Sequence, residues 1–465
     1  MYDFIIIGAG VVGAAIARRL SAYDCKLALI EKEEDVSLGA SKANSGIVHG
    51  GYAGKYGTLK GQLCIKGNLM FDKLNEELNF GFKRIGGIVL GFSEDDLEIL
   101  KKQQDNSIKV GQTDIRMLSK EEVYDLEPNL AEGVTCGMYV PSIGITSPYE
   151  MTIALVENAL DNGLDLFLGH EVKEISCNDH FVVTTNKGSL KGKFIINAAG
   201  LGSGLINDML GNHELTIHPR RGQYVLFGKD QNKLNHVLFQ TPTEKGKGVL
   251  VTQTVHGNLM IGPDAEDLMD EVSTDTSEER LKNILKLAEK TYDAFNVKRA
   301  LTTFSGIRAM SHNKDFFIKY VHDHAITVGG IDSPGLTSSP AIADYVLDLI
   351  LSKHELTLKS DFNPIRNSYY SIPNDQVICL CEQQGQSRIE ACLEGPIEIK
   401  TTDGVKRRIR AGMGNCQGKR CEAGVRKMIA DHHQMDEKDV LKRTERRMPK
   451  RVPIEMIRNF NLDYK

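Results

Sequence analysis

Four cysteines near the C-terminus have the type and spacing to bind a metal. Cys379 and Cys381 form a C-x-C pair, and Cys416 and Cys421 form a C-x4-C pair. Reduced thiols grouped in this way in an intracellular protein favour metal or redox chemistry over structural disulfides. Zinc and a 2Fe-2S cluster both accept four thiolates. A zinc ribbon usually carries two C-x2-C pairs, so the spacing here favours the iron-sulfur cluster over zinc.

A second group of residues has the spacing of a dinucleotide site. Gly8, Gly10 and Gly13 form G-x-G-x-x-G between an apolar strand pattern and an apolar helix pattern. Glu31 ends the next strand pattern, 18 residues after Gly13. Backbone amides at a helix N-terminus bind a pyrophosphate, and a carboxylate in this place binds the adenosine ribose. The group therefore predicts a bound dinucleotide.

The elements that must position these residues alternate between strands and helices. Residues 3 to 31 read as strand, glycine turn, helix and strand, which is a βαβ unit. Strand patterns dominate the middle of the chain, with helices expected at 94–105, 148–162 and 277–294. Residues 326 to 352 return to α/β character, with a turn before a helix at 340–352. We predict an α/β fold, α+β overall, whose nucleotide domain is built from discontinuous pieces.

Composition excludes several classes of function. The chain has 465 residues, of which 41% are hydrophobic, so it has material for two or three domains. A net charge of -5 with dispersed basic residues disfavours nucleic-acid binding. The pattern contains no signal peptide and no apolar run of membrane-spanning length, which predicts a soluble cytoplasmic protein that can still dock on a membrane through a partner. The basic segment 442–451 reads as a solvated helix end.

Three segments occur in an order that suggests a family: ASKANSGIVHGG at 40–51, INAAG at 196–200 and GGIDSPGLT at 329–337. Over about residues 1 to 352 the chain resembles the FAD-dependent oxidoreductases of the D-amino-acid oxidase superfamily. The resemblance implies FAD as the dinucleotide. Besides the glycine triad and Glu31, it implies FAD contacts from Ser41, Asn44, Ser45, Gly46, Val172, Ala199, Gly200, Gly330, Gly335, Leu336 and Thr337.

Further segments point to one branch of that superfamily. GTLKGQLCIKGN at 57–68, TVHGNLMIGP at 254–263 and FSGIRAM at 304–310 resemble L-2-hydroxyglutarate dehydrogenases and FAD-linked glycerol-3-phosphate dehydrogenases. ICLCE and RAGMGNCQGKRC resemble the bacterioferritin-associated-ferredoxin-like 2Fe-2S module. The expected domains are an FAD-binding domain, an antiparallel-sheet substrate domain, a linker and a small C-terminal four-cysteine domain with its tail. The FAD-binding domain is expected at 1–75, 145–210 and 310–354, and the substrate domain at 76–144 and 211–309. The linker is expected at 355–375 and the four-cysteine domain with its tail at 376–465.

Both substrates of this branch are secondary alcohols that carry an anionic group. Such a site needs a fixed cation, a base for the hydroxyl proton and a flavin to accept the hydride. Arg308 is the expected cation, since a guanidinium binds carboxylate or phosphate through a directional fork. His49 and His256 are the candidate bases, because imidazole titrates near neutral pH. The sequence does not rank these two histidines.

The leading expectation is an FAD-dependent dehydrogenase that oxidises sn-glycerol 3-phosphate to dihydroxyacetone phosphate. Its electrons are expected to pass through a 2Fe-2S cluster to a redox partner subunit, either a flavoprotein or a membrane-associated carrier. Ala53 stands where many glycerol-3-phosphate enzymes carry an anion-binding arginine in H-x-G-x-R-Y. That difference keeps L-2-hydroxyglutarate as the alternative substrate. A further alternative is an electron-transfer subunit of a larger flavoenzyme.

Overall fold

The computed structural model describes residues 1–241, 248–269, 272–444 and 449–462. Two large sheets with their helices are followed by a small helical module at the C-terminal end. Within the described residues, no helix combines the length and the apolar character needed to cross a bilayer.

Numbered along the described chain, the strands are β1 (Tyr2–Ile7), β2 (Leu27–Ile30), β3 (Ile47–Val48), β4 (Phe82–Arg84), β5 (Gly87–Gly91), β6 (Arg116–Ser119), β7 (Cys136–Val140), β8 (Gly144–Thr146), β9 (Leu164–Phe167), β10 (Val172–Cys177), β11 (Phe181–Thr185), β12 (Gly188–Asn197), β13 (Ile217–Phe227), β14 (Val237–Gln240), β15 (Val251–Gln253), β16 (Leu259–Ile261), β17 (Glu266–Asp267), β18 (Ala300–Ser311), β19 (Phe317–His322), β20 (Ala325–Gly329), β21 (Val377–Cys379) and β22 (Gln384–Gly385).

The helices of the described chain are α1 (Val11–Leu20), α2 (Leu59–Leu78), α3 (Glu94–Lys109), α4 (Lys120–Leu126), α5 (Pro148–Asp161), α6 (Ser203–Met209), α7 (Glu278–Glu289), α8 (Gly335–Leu351), α9 (Gln386–Leu393), α10 (Thr402–Ile409), α11 (Glu422–His433) and α12 (Ile454–Arg458).

The first sheet has the order β10-β11-β12-β1-β2-β9, with β20 beside β12 and β19 beside β20. Strands β12, β1, β2 and β9 pair in parallel in that order, and β20 is parallel to β12. Strands β10, β11 and β19 pair with their neighbours in antiparallel fashion. Residues of α1, α2, α5 and α8 share one apolar core with this sheet. Strands buried in this way are apolar on both faces, which explains the run of isoleucines in β1. The predicted α/β class, built from discontinuous pieces, is confirmed.

The second sheet has the order β17-β13-β16-β15-β14-β5-β7-β6, and β18 pairs along β13. Its pairs are antiparallel except β14 with β5. The β13–β18 ladder is the longest, running from Ile217 opposite Ser311 to Phe227 opposite Ala300. Helix α7 packs its leucine and isoleucine side chains on this sheet. The domain limits expected from the sequence remain a prediction, because element bounds alone do not delimit a folding unit.

Helix α8 begins earlier than the sequence pattern predicts. Pro340 reads as a first-turn residue, which places the start at 340, yet the helix already begins at Gly335. Proline lacks the N–H that would bond to the carbonyl of Leu336. The hydroxyl of Ser339 donates to that carbonyl instead, at 2.9 Å. The proline is therefore accommodated inside the helix, and the predicted boundary is wrong by five residues.

Two other helix predictions need correction. Helix α7 ends at Glu289, earlier than the predicted residue 294, and α3 runs to Lys109 rather than to residue 105. In the basic segment 442–451, Lys442 and Arg443 lie outside any helix and pair with Glu422 and Asp403. The predicted helix end is wrong there, since side-chain ion pairs rather than a helix hold this segment. Residues 445–448 lie outside the described chain.

A buried ionic cluster attaches the C-terminal module to the first sheet. Asp35, in the loop after β2, accepts hydrogen bonds from Arg407 at 2.7 Å and from Arg408 at 3.0 Å, both on α10. Glu157 of α5 accepts one from the Tyr369 hydroxyl at 2.5 Å. Burial opposes ionisation of Asp35, but the two guanidinium groups hold its pKa well below the usual range. The carboxylate is therefore charged at neutral pH.

Replacing Asp35 tests this attachment. Asp35→Asn removes the carboxylate that pairs with both Arg407 and Arg408, although Arg408 keeps Glu157 at 3.9 Å. Breaking a buried pair costs about 3–5 kcal/mol. We expect a lower urea midpoint and faster proteolysis between residues 355 and 375. Because folding lowers this pKa, the contribution of Asp35 is complete above its unfolded value of about 3.9 and is lost as pH falls below it. Wild type and variant should thus converge in acid.

The exposed pair of Glu98 and Lys101 on α3 provides the matched control. Glu98→Gln should leave the urea midpoint unchanged, because solvent screens such a pair. Equal midpoints for Asp35→Asn and wild type at pH 7 would contradict the role assigned to the buried cluster.

Candidate functional site

The glycine triad brings α1 directly onto the end of β1. Gly8 has φ +105°, and a Cβ on Gly13 would lie 1.9 Å from the Gly8 carbonyl oxygen, so only glycine allows this contact. Gly10 caps α1 without a side-chain hydrogen bond, and the first turn carries no acidic residue. The Val11 N–H donates to Ser41 Oγ at 2.8 Å. The positive end of the α1 dipole thus suits a pyrophosphate.

Glu31 lies beside this turn, as the sequence predicts. Its two carboxylate oxygens accept hydrogen bonds from the N–H groups of Ala9 at 2.8 Å and Glu33 at 3.0 Å. Burial raises the pKa of the carboxyl group. In this structure Glu31 therefore connects the end of β2 to the glycine turn, and its contact with a ribose remains a prediction.

The turn after β12 also meets the glycine triad. A Cβ on Gly8 would lie 2.6 Å from the Ala198 carbonyl oxygen and 2.9 Å from Ala199 Cα. Gly200 has φ +57°, and a Cβ placed on it would meet no atom within 4 Å. Val172, the first residue of β10, packs against the same apolar cluster as Ala199. The turn at Ala198 and Ala199, whose residues Ala199 and Gly200 are predicted to lie on the adenosine side, thus contacts Gly8.

The segment from residue 40 to 46 is braced by one asparagine. The Asn44 amide donates to the carbonyls of Ala40 at 3.0 Å and Ser41 at 3.2 Å, and its oxygen accepts from Gly46 N–H at 2.8 Å. Ser45 lies between them, half-buried. Gly46 has φ +65° and packs against the Thr146 carbonyl, where a Cβ would come within 2.5 Å. Asn44 therefore fixes the shape of this segment.

The first turn of α8 contacts the same segment. Thr337 Oγ1 accepts a hydrogen bond from the His49 N–H at 2.9 Å and donates to the Ile47 carbonyl at 3.4 Å. Gly335 and Leu336 precede Thr337 in that turn. The two flavin segments that are far apart in sequence thus meet at His49.

Strand β18 crosses between these two segments. A Cβ on Gly306 would lie 1.8 Å from the Ala43 carbonyl oxygen, and a Cβ on Gly330 would lie 2.4 Å from Ser311 Cβ. Arg308 stands two residues after Gly306, on the same face of the strand. A Cβ on Gly222 of β13 would lie 3.0 Å from Arg308 Nη2, so the guanidinium lies beside β13, and its binding of a substrate anion remains a prediction.

The neighbouring strand adds a residue that the sequence interpretation missed. Tyr224 on β13 lies opposite Phe304, with the rings stacked at 4.6 Å. Burial raises the pKa of the Tyr224 hydroxyl, and Arg308, which donates a hydrogen bond to it, opposes that rise. Arg220 lies opposite Arg308 and pairs with Asp267 at 2.6 Å. The β13–β18 register, which is not readable from the sequence, brings Tyr224 to Arg308.

The two candidate histidines occupy different places. The His49 carbonyl accepts from the Asn68 amide at 3.0 Å, and its ring packs 6.0 Å from that of Phe239. His256, at the tip of the β15–β16 hairpin, places Nε2 3.0 Å from Glu150 Oε1 in the first turn of α5. The structure thus brings His49 together with the predicted flavin segments, whereas the His256 ring forms a hydrogen bond with the Glu150 carboxylate.

The four C-terminal cysteines form two adjacent thiol pairs. Cys379 and Cys421 share one hydrogen bond, and Cys381 and Cys416 share another. The bond from the Cys421 thiol lowers the pKa of Cys379 to about 5. Within the described part of the chain, no three His, Cys, Asp or Glu side chains are arranged around a metal position. The predicted ligands are brought together, and their binding of a metal stays a prediction.

Gly306 offers a direct test of the contact between β18 and the 40–46 segment. In Gly306→Ala the new methyl group meets a backbone carbonyl, which no rotamer change relieves. Overpacking of this kind costs about 1–3 kcal/mol, so we expect roughly ten-fold weaker retention of the FAD that the sequence implies. The measurement is the flavin content after gel filtration and the FAD dissociation constant from flavin fluorescence.

Gly39→Ala is the matched control for Gly306→Ala. Gly39 has φ -83°, and a Cβ there would meet nothing within 4 Å. This variant should retain FAD as wild type does. If both variants bind FAD like wild type, the close approach at Gly306 is not what shapes the site.

Comparison with known proteins adds independent evidence. The family model described as "DAO: FAD dependent oxidoreductase" matches residues 3–349. The chain is 43% identical to the glycerol 3-phosphate dehydrogenase of Caloramator mitchellensis over 92% of this chain and 94% of that one. It is 30% identical to an L-2-hydroxyglutarate dehydrogenase of Escherichia coli over 57% of this chain and 64% of that one.

A solved structure agrees with this family. The L-alpha-glycerophosphate oxidase of Mycoplasma pneumoniae, dithionite-reduced and with FAD bound, superposes with a TM-score of 0.75 at 30% identity. It covers 80% of this chain, and 99% of its own length is matched. The family model covers the glycine triad, the 40–46 segment, Arg308 and the first turn of α8. The chain therefore belongs to the DAO family of FAD-dependent oxidoreductases.

Proposed function

We propose that this enzyme oxidises sn-glycerol 3-phosphate to dihydroxyacetone phosphate. The observation that carries the proposal is the 43% identity, over nearly the whole of both chains, to the Caloramator mitchellensis glycerol 3-phosphate dehydrogenase. Similarity to the Escherichia coli L-2-hydroxyglutarate dehydrogenase extends over only 57% of this chain. FAD, when bound, accepts the hydride from the carbon that carries the hydroxyl group.

Arg308 is assigned to the phosphate of the substrate. A guanidinium matches phosphate oxygens with two parallel N–H donors. Tyr224 on β13 accepts a hydrogen bond from the Arg308 side chain, and Gly306, two residues before Arg308, contacts the 40–46 segment. Ala53 is exposed, so the anion-binding arginine of H-x-G-x-R-Y has no counterpart at that position. Arg308 is therefore the cation on which phosphate binding depends.

His49 is assigned as the base that takes the hydroxyl proton. Its backbone is fixed on both sides, by Thr337 through the N–H and by Asn68 through the carbonyl. An imidazole carried by a backbone anchored in this way beside the predicted flavin segments suits proton transfer that accompanies hydride transfer. His256 is assigned a structural role, because its bond to Glu150 joins the β15–β16 hairpin to α5.

The four cysteines are assigned to a 2Fe-2S cluster, whose chemistry is the transfer of single electrons. The donor set fits, since four thiols lie as adjacent pairs and backbone amides point at their sulfurs. The amides of Glu382 and Gly412 donate to Cys379, and those of Gly418 and Arg420 donate to Cys416. Amide donors of this kind stabilise thiolate sulfur in iron-sulfur sites.

The length of this chain that each relative matches supports the same assignment. Residues before 376 make up about four fifths of the chain, so a match over 92% of it must enter the cysteine module. The Mycoplasma pneumoniae oxidase, at 80% coverage, need not include it. An oxidase delivers its electrons to oxygen and needs no cluster. The module is thus consistent with a dehydrogenase that delivers electrons to a redox partner.

Arg410 joins the cysteine module to the flavin-binding part of the chain. Its guanidinium donates to Glu382, the residue after Cys381, at 3.0 Å and to the Tyr149 hydroxyl at 3.3 Å. Tyr149 lies in the first turn of α5, and that turn begins at Pro148, against Gly46. These contacts hold the cysteines at a fixed position relative to the 40–46 segment.

Anaerobic flavin reduction tests the substrate assignment. We expect glycerol 3-phosphate to bleach the flavin absorbance at a rate far above that with L-2-hydroxyglutarate. Arg308→Gln should lower the second-order rate constant roughly 100-fold, since hydrogen bonds to charged groups contribute about 1.5–3 kcal/mol. His49→Gln should slow reduction strongly, whereas His256→Gln serves as its control and should reduce at the wild-type rate. Bleaching by L-2-hydroxyglutarate alone would reassign the substrate.

The cluster assignment has a spectroscopic test of its own. We expect the purified protein to contain two irons per chain and to keep visible absorbance after flavin removal. Cys381→Ser should abolish that absorbance, while Cys177→Ser, at an exposed cysteine outside the module, should preserve it. Colourless protein that contains zinc would replace the 2Fe-2S assignment.

A further inference from the structure

The four cysteines of the module differ in their exposure to solvent. Cys379 and Cys421 are buried, whereas Cys381 and Cys416 are partly exposed. Leu380, which lies between the two cysteines of the C-x-C pair, is 58% exposed. The thiol set therefore has an inner half that packs in the module core and an outer half that faces solvent.

Basic side chains stand around the outer half. Lys419 and Arg420 follow Cys416 in the same turn and are exposed, and the Arg420 amide donates to the Cys416 sulfur. Within the described part of the chain, neither of these two side chains forms an ion pair with a carboxylate. Lys229, which follows β13 of the second sheet, lies near Cys381, since its Nζ is 3.2 Å from Glu382. A basic surface is notable on a chain whose net charge is -5.

The carboxylates around this surface do not cancel its charge, because each already has a basic partner. The pairs are Glu382 with Arg410 at 3.0 Å, Asp230 with Arg299 at 2.9 Å and Glu422 with Lys442 at 2.7 Å.

We propose that this surface, formed by Leu380, Cys381, Cys416, Lys419 and Arg420 and here called the basic edge, is the docking site for an acidic one-electron carrier protein. The proposal rests on the 2Fe-2S assignment. Leu380 supplies an apolar contact at the centre, and the cations form a charged rim, which is the usual anatomy of a transient interface. Opposite charges increase the association rate and orient the carrier with its redox centre toward Cys381 and Cys416.

The electron balance defines what the carrier must do. Oxidation of one glycerol 3-phosphate to dihydroxyacetone phosphate releases two electrons and two protons. A one-electron carrier takes one electron at each docking event, so two carrier molecules are reduced for each substrate molecule. The two protons are released to solvent.

The test uses the holoenzyme with two small carriers of opposite charge, acidic plant plastocyanin and basic cytochrome c, under anaerobic conditions. At low ionic strength we expect wild type to reduce plastocyanin faster than cytochrome c. In Lys419→Glu/Arg420→Glu, the rate with plastocyanin should fall about ten-fold and the rate with cytochrome c should not fall. The difference should shrink as salt is added, because exposed charges are screened over about 10 Å at 0.1 M.

Lys101→Glu/Lys102→Glu, which changes two exposed lysines on α3 by the same charge, is the matched control and should reduce plastocyanin at the wild-type rate. Flavin reduction by glycerol 3-phosphate, measured without a carrier, should be unchanged in both double variants. Equal plastocyanin rates in the two variants, with iron content intact, would overturn the docking site alone. Wild-type protein without a cluster would overturn the 2Fe-2S assignment and the docking site with it.

Discussion

The candidate site depends on the close approach of strand β18 to the 40–46 segment at Gly306 and Ala43. A side chain at residue 306 would occupy the position of a backbone carbonyl, so the strand can reach this segment only as glycine. The same strand continues to Ser311, which packs on Gly330 at the turn before α8. Both contacts involve backbone or Cβ atoms, which do not rearrange as flexible side chains do. Arg308 stands between these two contacts along the strand.

A second constraint concerns the C-terminal module, which is joined to the rest by buried ion pairs as well as by apolar side chains. The module has its own apolar cluster, and Ile397 and Ile457 are buried in the cores of the first and second sheets. Asp35, Glu157 and Arg410 add polar contacts to the rest of the chain. Buried ion pairs are specific in geometry, because a displaced partner leaves an unpaired charge in a medium of low polarity. Such contacts favour one orientation of the cysteines relative to the flavin-binding segment.

The arrangement separates two tasks within one chain. The proposed substrate chemistry uses Arg308 on β18 and the backbone-anchored His49, together with the segments predicted to contact the flavin. Electron delivery to a partner is assigned to the cysteine module, at Cys381 and Cys416, which are partly exposed to solvent. The two regions connect through the first turn of α5, which touches Gly46 on one side and Arg410 on the other through Tyr149. In the proposed scheme the substrate and the redox partner bind at separate surfaces.

The sequence by itself determined the α/β class, the glycine turn, Glu31, the order of the flavin segments and the grouping of the cysteines. These features are local in sequence, because strand periodicity, turn glycines and cysteine spacing are each readable within a few residues. The start of α8 was not predictable in this way, since the Ser339 hydroxyl compensates for Pro340 by a contact that a pattern does not reveal. Only the tertiary structure brought Tyr224 to Arg308, distinguished His49 from His256 and joined the module through Asp35. The physical reason is that strand register, ion pairing and burial join residues far apart in the chain, and those contacts form only when the whole fold packs.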